Sequence, residues 1–201
     1  MAREEIIPVK IYILLSDTGS LLTKAIKVYT KDPYNHVSIS LNKDLSELYS
    51  FGRKKEYNPY IGGFVKEDVH NHLLKYSDSE IYELEVTPYQ YLEIKRKIEF
   101  FESRKREYKY NLLGMLAMIA NVDFIREDHY FCSQFVSVVL NSAGISISNK
   151  PEHYTTPNDF RKTENMNLIF KGILNQYPNL NSQHKESLYK VTYGKVKSLL
   201  L

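Results

Sequence analysis

"DHYFCSQFVSVVLNSAG", residues 128–144, carries the only cysteine of the chain, Cys132, where a helical pattern begins. Over 131–143, steps of 100° place Cys132, Val136, Val139 and Ala143 on one side and Ser133, Ser137 and Asn141 on the other. Gly144 is the expected stop. Cys132 thus falls in the first turn, on the face that meets the core. Two readings of the thiol stay open. An inert cysteine fills a core as a small apolar group. A nucleophile gains from the unpaired amides and positive dipole end of a helix N-terminus, which stabilise a thiolate and can receive an oxyanion.

Composition narrows the setting. With 201 residues, 43% of them hydrophobic and 25% charged, the chain suits one compact domain spanning 1–201. A formal charge of +3 argues by itself for neither nucleic acid nor a membrane surface. One cysteine excludes an internal disulfide framework and a multi-cysteine metal site, and it fits a reducing compartment. No metal or cofactor is expected. The start, "MAREEIIPVKIYILLSD", has no signal-peptide pattern, and "LLGMLAMIA" at 112–120 is too short to span a bilayer and reads as a buried helix. The expectation is a cytoplasmic protein without stable membrane insertion; its oligomeric state is left open. The basic run "SRKREYKY", 103–110, reads as a solvated helix end rather than a nucleic-acid surface.

Periodicity gives the order of elements. "VKIYILLS" (9–16) reads as a buried strand, and "SLLTKAIKVYT" (20–30) as a helix ended by Pro33. "HVSISL" (36–41) alternates, with Val37, Ile39 and Leu41 on one face and His36, Ser38 and Ser40 on the other. "ELYSFGR" (47–53) is its hairpin partner, and "NPYIGGFV" (58–65) reads as loop punctuated by Gly62–Gly63. "EIYELEV" (80–86) is a strand. Thr87–Pro88 then opens a helix over 89–110 with Leu92, Ile94, Ile98 and Phe101 inward. "TTPNDF" (155–160) repeats that start, and "NLIFKG" (167–172) and "SLYKVTYG" (187–194) complete the strands. The class is α+β.

A nucleophilic cysteine needs a base, usually histidine, oriented by a third polar group. Of six histidines, His36 opens a strand after the turn "KDPYN", at a sheet edge. His129 lies three residues before Cys132, His153 and His184 sit in polar loops, and the pair His70 and His72 is too few for a metal site.

The order "SDTGSLLTKAIKVYT…PYNHVSISL…ELYSFGR…GGFV…Y-x-C-S-Q-F-V…AGI…TPNDF", from about residue 9 to 160, resembles the circularly permuted branch of the NlpC-type papain-like cysteine hydrolases, the YaeF/YiiX group of permuted amidases. In that branch the histidine strand precedes the cysteine helix, as His36 precedes Cys132 here. The resemblance implies a papain-like antiparallel sheet packed against helices, with the nucleophile at a helix N-terminus. It makes Cys132 the nucleophile and His36 the general base. It draws the third member from the strand after His36, where Glu47 and Ser50 are the alternatives. Tyr12 and Ser133 are the candidates for oxyanion or substrate binding. The implied activity is cleavage of an amide bond, in a small peptide or an amino-acid amide. A lipid-acyl substrate is the alternative, as in the lecithin–retinol acyltransferase relatives of the same permuted layout. A ligand-binding module without turnover is the reading from another class.

Overall fold

The computed structural model describes residues 7–19, 32–55, 58–111 and 128–180. Its centre is a six-stranded sheet of β1 (Val9–Asp17), β2 (His36–Ser40), β3 (Leu48–Lys55), β4 (Asn58–Lys66), β5 (Asp78–Val86) and β8 (Asn167–Ile173), in the spatial order β4-β3-β2-β1-β5-β8. Every neighbouring pair is antiparallel. Between them run the short helix α1 (His72–Lys75), the long helix α2 (Pro88–Ser103), the two-residue strands β6 (Lys109–Tyr110) and β7 (His129–Tyr130), the cysteine helix α3 (Cys132–Asn141) and α4 (Pro157–Arg161). The class is α+β. No helix among the described residues is long and apolar enough to cross a membrane.

β1 is central because its apolar run is continuous: Ile11, Tyr12, Ile13, Leu14 and Leu15 are all buried, so both faces are covered. On one face Ile11, Ile13, Leu15, Val37 and Ile39 pack with Ile94, Ile98 and Phe101 of α2 and with Phe135, Val136 and Val139 of α3. On the other, Tyr12, Leu14, Leu48 and Ile81 pack under Leu74 of α1 and Leu174. Both Thr–Pro starts form capping boxes, Thr87 with Gln90 and Thr156 with Asp159, which satisfy amides at the helix ends.

Four expectations are corrected. Residues 58–65 are strand rather than loop, paired with β3 from Tyr49↔Lys66 to Lys55↔Asn58. Gly62 and Gly63 mark a close crossing instead of a turn. A Cβ on Gly62 would stand 2.6 Å from Tyr110 Cβ, and one on Gly63 would stand 2.9 Å from the Tyr108 carbonyl oxygen. The helix expected over 89–110 stops at Ser103, and Lys109–Tyr110 is a strand paired in parallel with His129–Tyr130. Leu92 is 50% exposed, because the buried stripe Ile94, Ile98 and Phe101 lies on the opposite side of α2. Ser133 and Ser137, expected outward on α3, are buried beneath the 152–155 segment: the Ser133 hydroxyl donates to the Thr155 carbonyl at 2.6 Å. The expected helices at 20–30 and 112–120 and the strand at 187–194 lie outside the described residues.

Candidate active site

β2 and β3 pair only at Ile39↔Tyr49 and Ser40↔Leu48. Toward His36 the pairing ends, and side chains from the adjacent strands meet there. Strand alternation sets His36 and Ser38 on one face of β2, and Ser50 and Gly52 on the facing side of β3. Glu67 arrives from the end of β4, fixed by its own amide, which donates to the Leu48 carbonyl at 2.8 Å.

Its carboxylate is the hub of the cluster. Oε1 lies 2.7 Å from His36 Nε2 and accepts the Ser50 hydroxyl at 2.6 Å, while Oε2 accepts the Ser38 hydroxyl at 2.7 Å. The side chains of His36 and Glu67 are only 12% and 9% exposed, so the pair is largely shielded from water. Burial by itself would raise the pKa of Glu67. The positive charge of His36, and hydrogen bonds from His36, Ser50 and Ser38, outweigh burial and hold it below the ordinary carboxylate value. An ionised carboxylate only accepts hydrogen bonds, so Nε2 carries a proton, and Nδ1 is the nitrogen left for the cysteine.

Cys132 is the first residue of α3 and is buried. Phe131 at the N-cap offers no side-chain cap, and the first helical bond is from the Phe135 amide to the Phe131 carbonyl, at 3.0 Å. The amides of Cys132, Ser133 and Gln134 therefore have no acceptor within the helix. The thiol reaches the His36 ring. Burial opposes charge on that ring, but the Glu67 carboxylate, then the charge and hydrogen bond of Cys132, push its pKa up to about 10. Tyr110 also faces this group. Burial, and then the charge of Cys132, push its phenol well above the ordinary value against the opposing Arg53, which keeps it a neutral donor.

Of the residues expected at the site, Cys132 and His36 come together and the others need correction. Glu47 lies in the turn between β2 and β3. Its amide donates to Asn42 Oδ1 at 3.1 Å, and its carbonyl accepts the Leu41 amide at 3.2 Å. Ser50 enters the cluster, but its hydroxyl goes to Glu67 rather than to His36. Tyr12 packs with Leu14 and Leu48, on the sheet face opposite the cysteine helix, and is displaced from this role by strand alternation. Ser133 gives its hydroxyl to Thr155, which leaves only its amide toward the helix end. His70 lies in a turn, His72 meets the Tyr76 ring edge-on, and His153 lies tilted against Tyr154. Among the described residues, no group of three or more His, Cys, Asp or Glu side chains is arranged to hold a metal ion.

Glu67 and Ser38 were not among the expected site residues. Reading 58–65 as loop hid Glu67, since a carboxylate is placed beside the histidine only when that segment becomes the strand next to β3. The signal available was "FVKED", an acidic pair one lysine beyond an apolar pair. The chain matches no protein-family model, and no curated protein or solved structure is significantly similar to it.

Proposed function

We propose that the protein is a thiol hydrolase that cleaves an amide bond through a cysteinyl acyl-enzyme, with Cys132 as nucleophile, His36 as base and Glu67 as the residue that orients the imidazole. The observation that carries this reading is the His36 ring, held at Nε2 by Glu67 at 2.7 Å and within hydrogen-bonding reach of Cys132 on the first turn of a helix. Nδ1 holds the thiol proton in a pre-formed imidazolium–thiolate pair, and the thiolate attacks the amide carbonyl carbon. The resulting oxyanion is received by the free amides at the start of α3, with the Tyr110 phenol as a neighbouring donor. The imidazolium returns its proton to the nitrogen as the C–N bond breaks, and the amine leaves. Water then gives a proton to Nδ1 and attacks the thioester, and the carboxylic acid and free thiol are released.

The order of the histidine strand and cysteine helix supports a permuted papain-like arrangement, and the antiparallel sheet under α3 is compatible with it. The free thiol suits a reducing compartment such as the cytoplasm.

The test is the pH dependence of Cys132 alkylation, followed by mass spectrometry of the protein after incubation with amide and acyl-ester substrates. Reaction persisting well below the ordinary thiol value of ~8.5, with an acyl adduct on Cys132, is the expected outcome. Alkylation that follows an ordinary thiol, with no adduct from either class, overturns the proposal.

A further inference from the structure

We infer that Ser38 and Ser50 are positioning residues that hold the shared proton of the His36–Glu67 pair on His36 Nε2, acting through the carboxylate rather than on the ring. This rests on the proposed function for its catalytic meaning, though not for its chemistry.

A buried imidazole and carboxylate have two ways to share one proton. With the proton on nitrogen, Glu67 is an anion, Nε2–H points at it, and Nδ1 offers a lone pair to the thiol. With the proton on oxygen, Glu67 becomes a neutral donor and Nε2 becomes the acceptor. The remaining ring proton must then sit on Nδ1, facing Cys132, where it cannot take the thiol proton. In a site shielded from water the neutral arrangement gains, because burial disfavours charge. Something must bias the pair toward the ionic form.

The two hydroxyls supply that bias. Ser50 donates to Oε1 at 2.6 Å and Ser38 to Oε2 at 2.7 Å, so both oxygens receive a donor besides the ring. A protonated carboxyl would need one oxygen to donate in turn. Ser38 Oγ also lies 3.3 Å from His36 Nε2, close enough to take a share of the same N–H. Both serines are fully buried, in line with His36 and Gly52 on their strands. Three other buried serines spend their hydroxyls on backbone carbonyls: Ser40 on Asn42 at 2.9 Å, Ser77 on Leu74 at 2.7 Å and Ser133 on Thr155 at 2.6 Å. Ser38 and Ser50, from two different strands, converge on one carboxylate. The other ionisable groups around the pair are Cys132 of α3 and, facing the thiol, Tyr110 of β6, on which Arg53 of β3 acts in turn.

The experiment compares the full chain with Ser38→Ala, Ser50→Ala, the double variant and Ser50→Thr. Nitrogen NMR of the His36 ring, recorded above its pKa of about 10 so that a single ring proton remains, reads which nitrogen carries that proton, and Cys132 alkylation is followed against pH. Wild type keeps the proton on Nε2. In the alanine variants, a population with the proton on Nδ1 is expected, and the acid limb of alkylation moves up by about one pH unit, a tenfold change in the proton-binding constant. Ser50→Thr, which keeps the hydroxyl, is expected to behave as wild type. Thermal unfolding is measured alongside; variants that lose stability with an unchanged tautomer and limb overturn the inference in favour of a purely structural role. The single variants keep the question answerable if the double variant does not fold. A wild-type thiol that proves unreactive overturns the hydrolase reading alone, because the ring measurement still reports on the serines.

Discussion

Glu67 and Glu80 both carry side chains largely shielded from water, and they are partnered in opposite ways. Glu80 on β5 has a side chain only 2% exposed and accepts from Arg161 Nε at 2.8 Å, Lys171 Nζ at 3.1 Å and Tyr82 Oη at 2.7 Å. Glu67 accepts from an imidazole and two serine hydroxyls. Burial raises the pKa of both, and donors reverse the effect in both; Glu80 ends at about 2. The difference is in the cation. Arginine and lysine keep their charge across the working range of a protein, so the field around Glu80 is constant and serves to tie α4 and β8 to the sheet. The charge on His36 is conditional and shared with Cys132. A constant partner makes a clamp, whereas a titrating one makes a proton carrier.

The sharpest way to break this contrast is Glu67→Gln. The carboxamide keeps the volume and can still accept a hydrogen bond, but it removes the charge that stabilises the imidazolium. We expect kcat/KM for amide hydrolysis to fall by about 10²–10³-fold, on the scale of a lost acid–base function, with a far smaller change in stability. Kinetics alongside denaturant unfolding checks this. An activity within a few-fold of wild type would return Glu67 to the same structural class as Glu80.

Glu80→Gln should show the reverse pattern. Removing one partner of a buried ion pair strands the others, and a full break is typically worth ~3–5 kcal/mol. Here Arg161 and Lys171 are 31% and 64% exposed and can turn to water, so the expected loss is smaller, about 2 kcal/mol. The rate of Cys132 alkylation by the folded protein should not change. The pH dependence of stability separates the two sites further. Glu80, lowered from 4.5 to about 2, contributes stability that is present above 4.5 and lost as pH falls through about 2. His36, raised from 6.5 to about 10, contributes stability that is present below 6.5 and lost as pH rises through about 10. The unfolding midpoint should therefore decline between pH 6.5 and 10 in wild type and in Glu80→Gln, and flatten in Glu67→Gln.

The same contrast shows what one sequence reveals. β1, β2 and β5 were legible because an apolar run or a strict alternation dictates which face is buried, and the Thr–Pro starts because capping chemistry is local. The cysteine and histidine were legible as residue types with a place in the order of elements. Glu67 and Ser38 were not, because nothing local marks them. Their meaning comes from β4 lying beside β3, and β4 was masked by two glycines that serve the crossing of Tyr108 and Tyr110 rather than a turn. Glu80 was equally hidden, as a charged letter in an alternating strand whose cations come from about eighty and ninety residues further along.

Glu47 supplies the smallest expected effect and the control for the comparison. It is the acidic residue nearest in sequence to the strand after His36, and the alternation of β3 starts immediately after it. Yet the turn that joins β2 to β3 uses Glu47 through its backbone, with the amide on Asn42 Oδ1 and the carbonyl on the Leu41 amide. Leu48 already pairs with Ser40, four residues along β2 from His36, so Glu47 lies beyond even that and Glu67 occupies the place beside the ring. Replacing its side chain leaves those backbone bonds intact. Glu47→Ala should then keep kcat/KM within about twofold of wild type and stability within ~0.5 kcal/mol, as for a side chain without a buried partner. A loss on the scale of Glu67→Gln would mean that the hairpin turn, and not the end of β4, supplies the carboxylate that His36 uses.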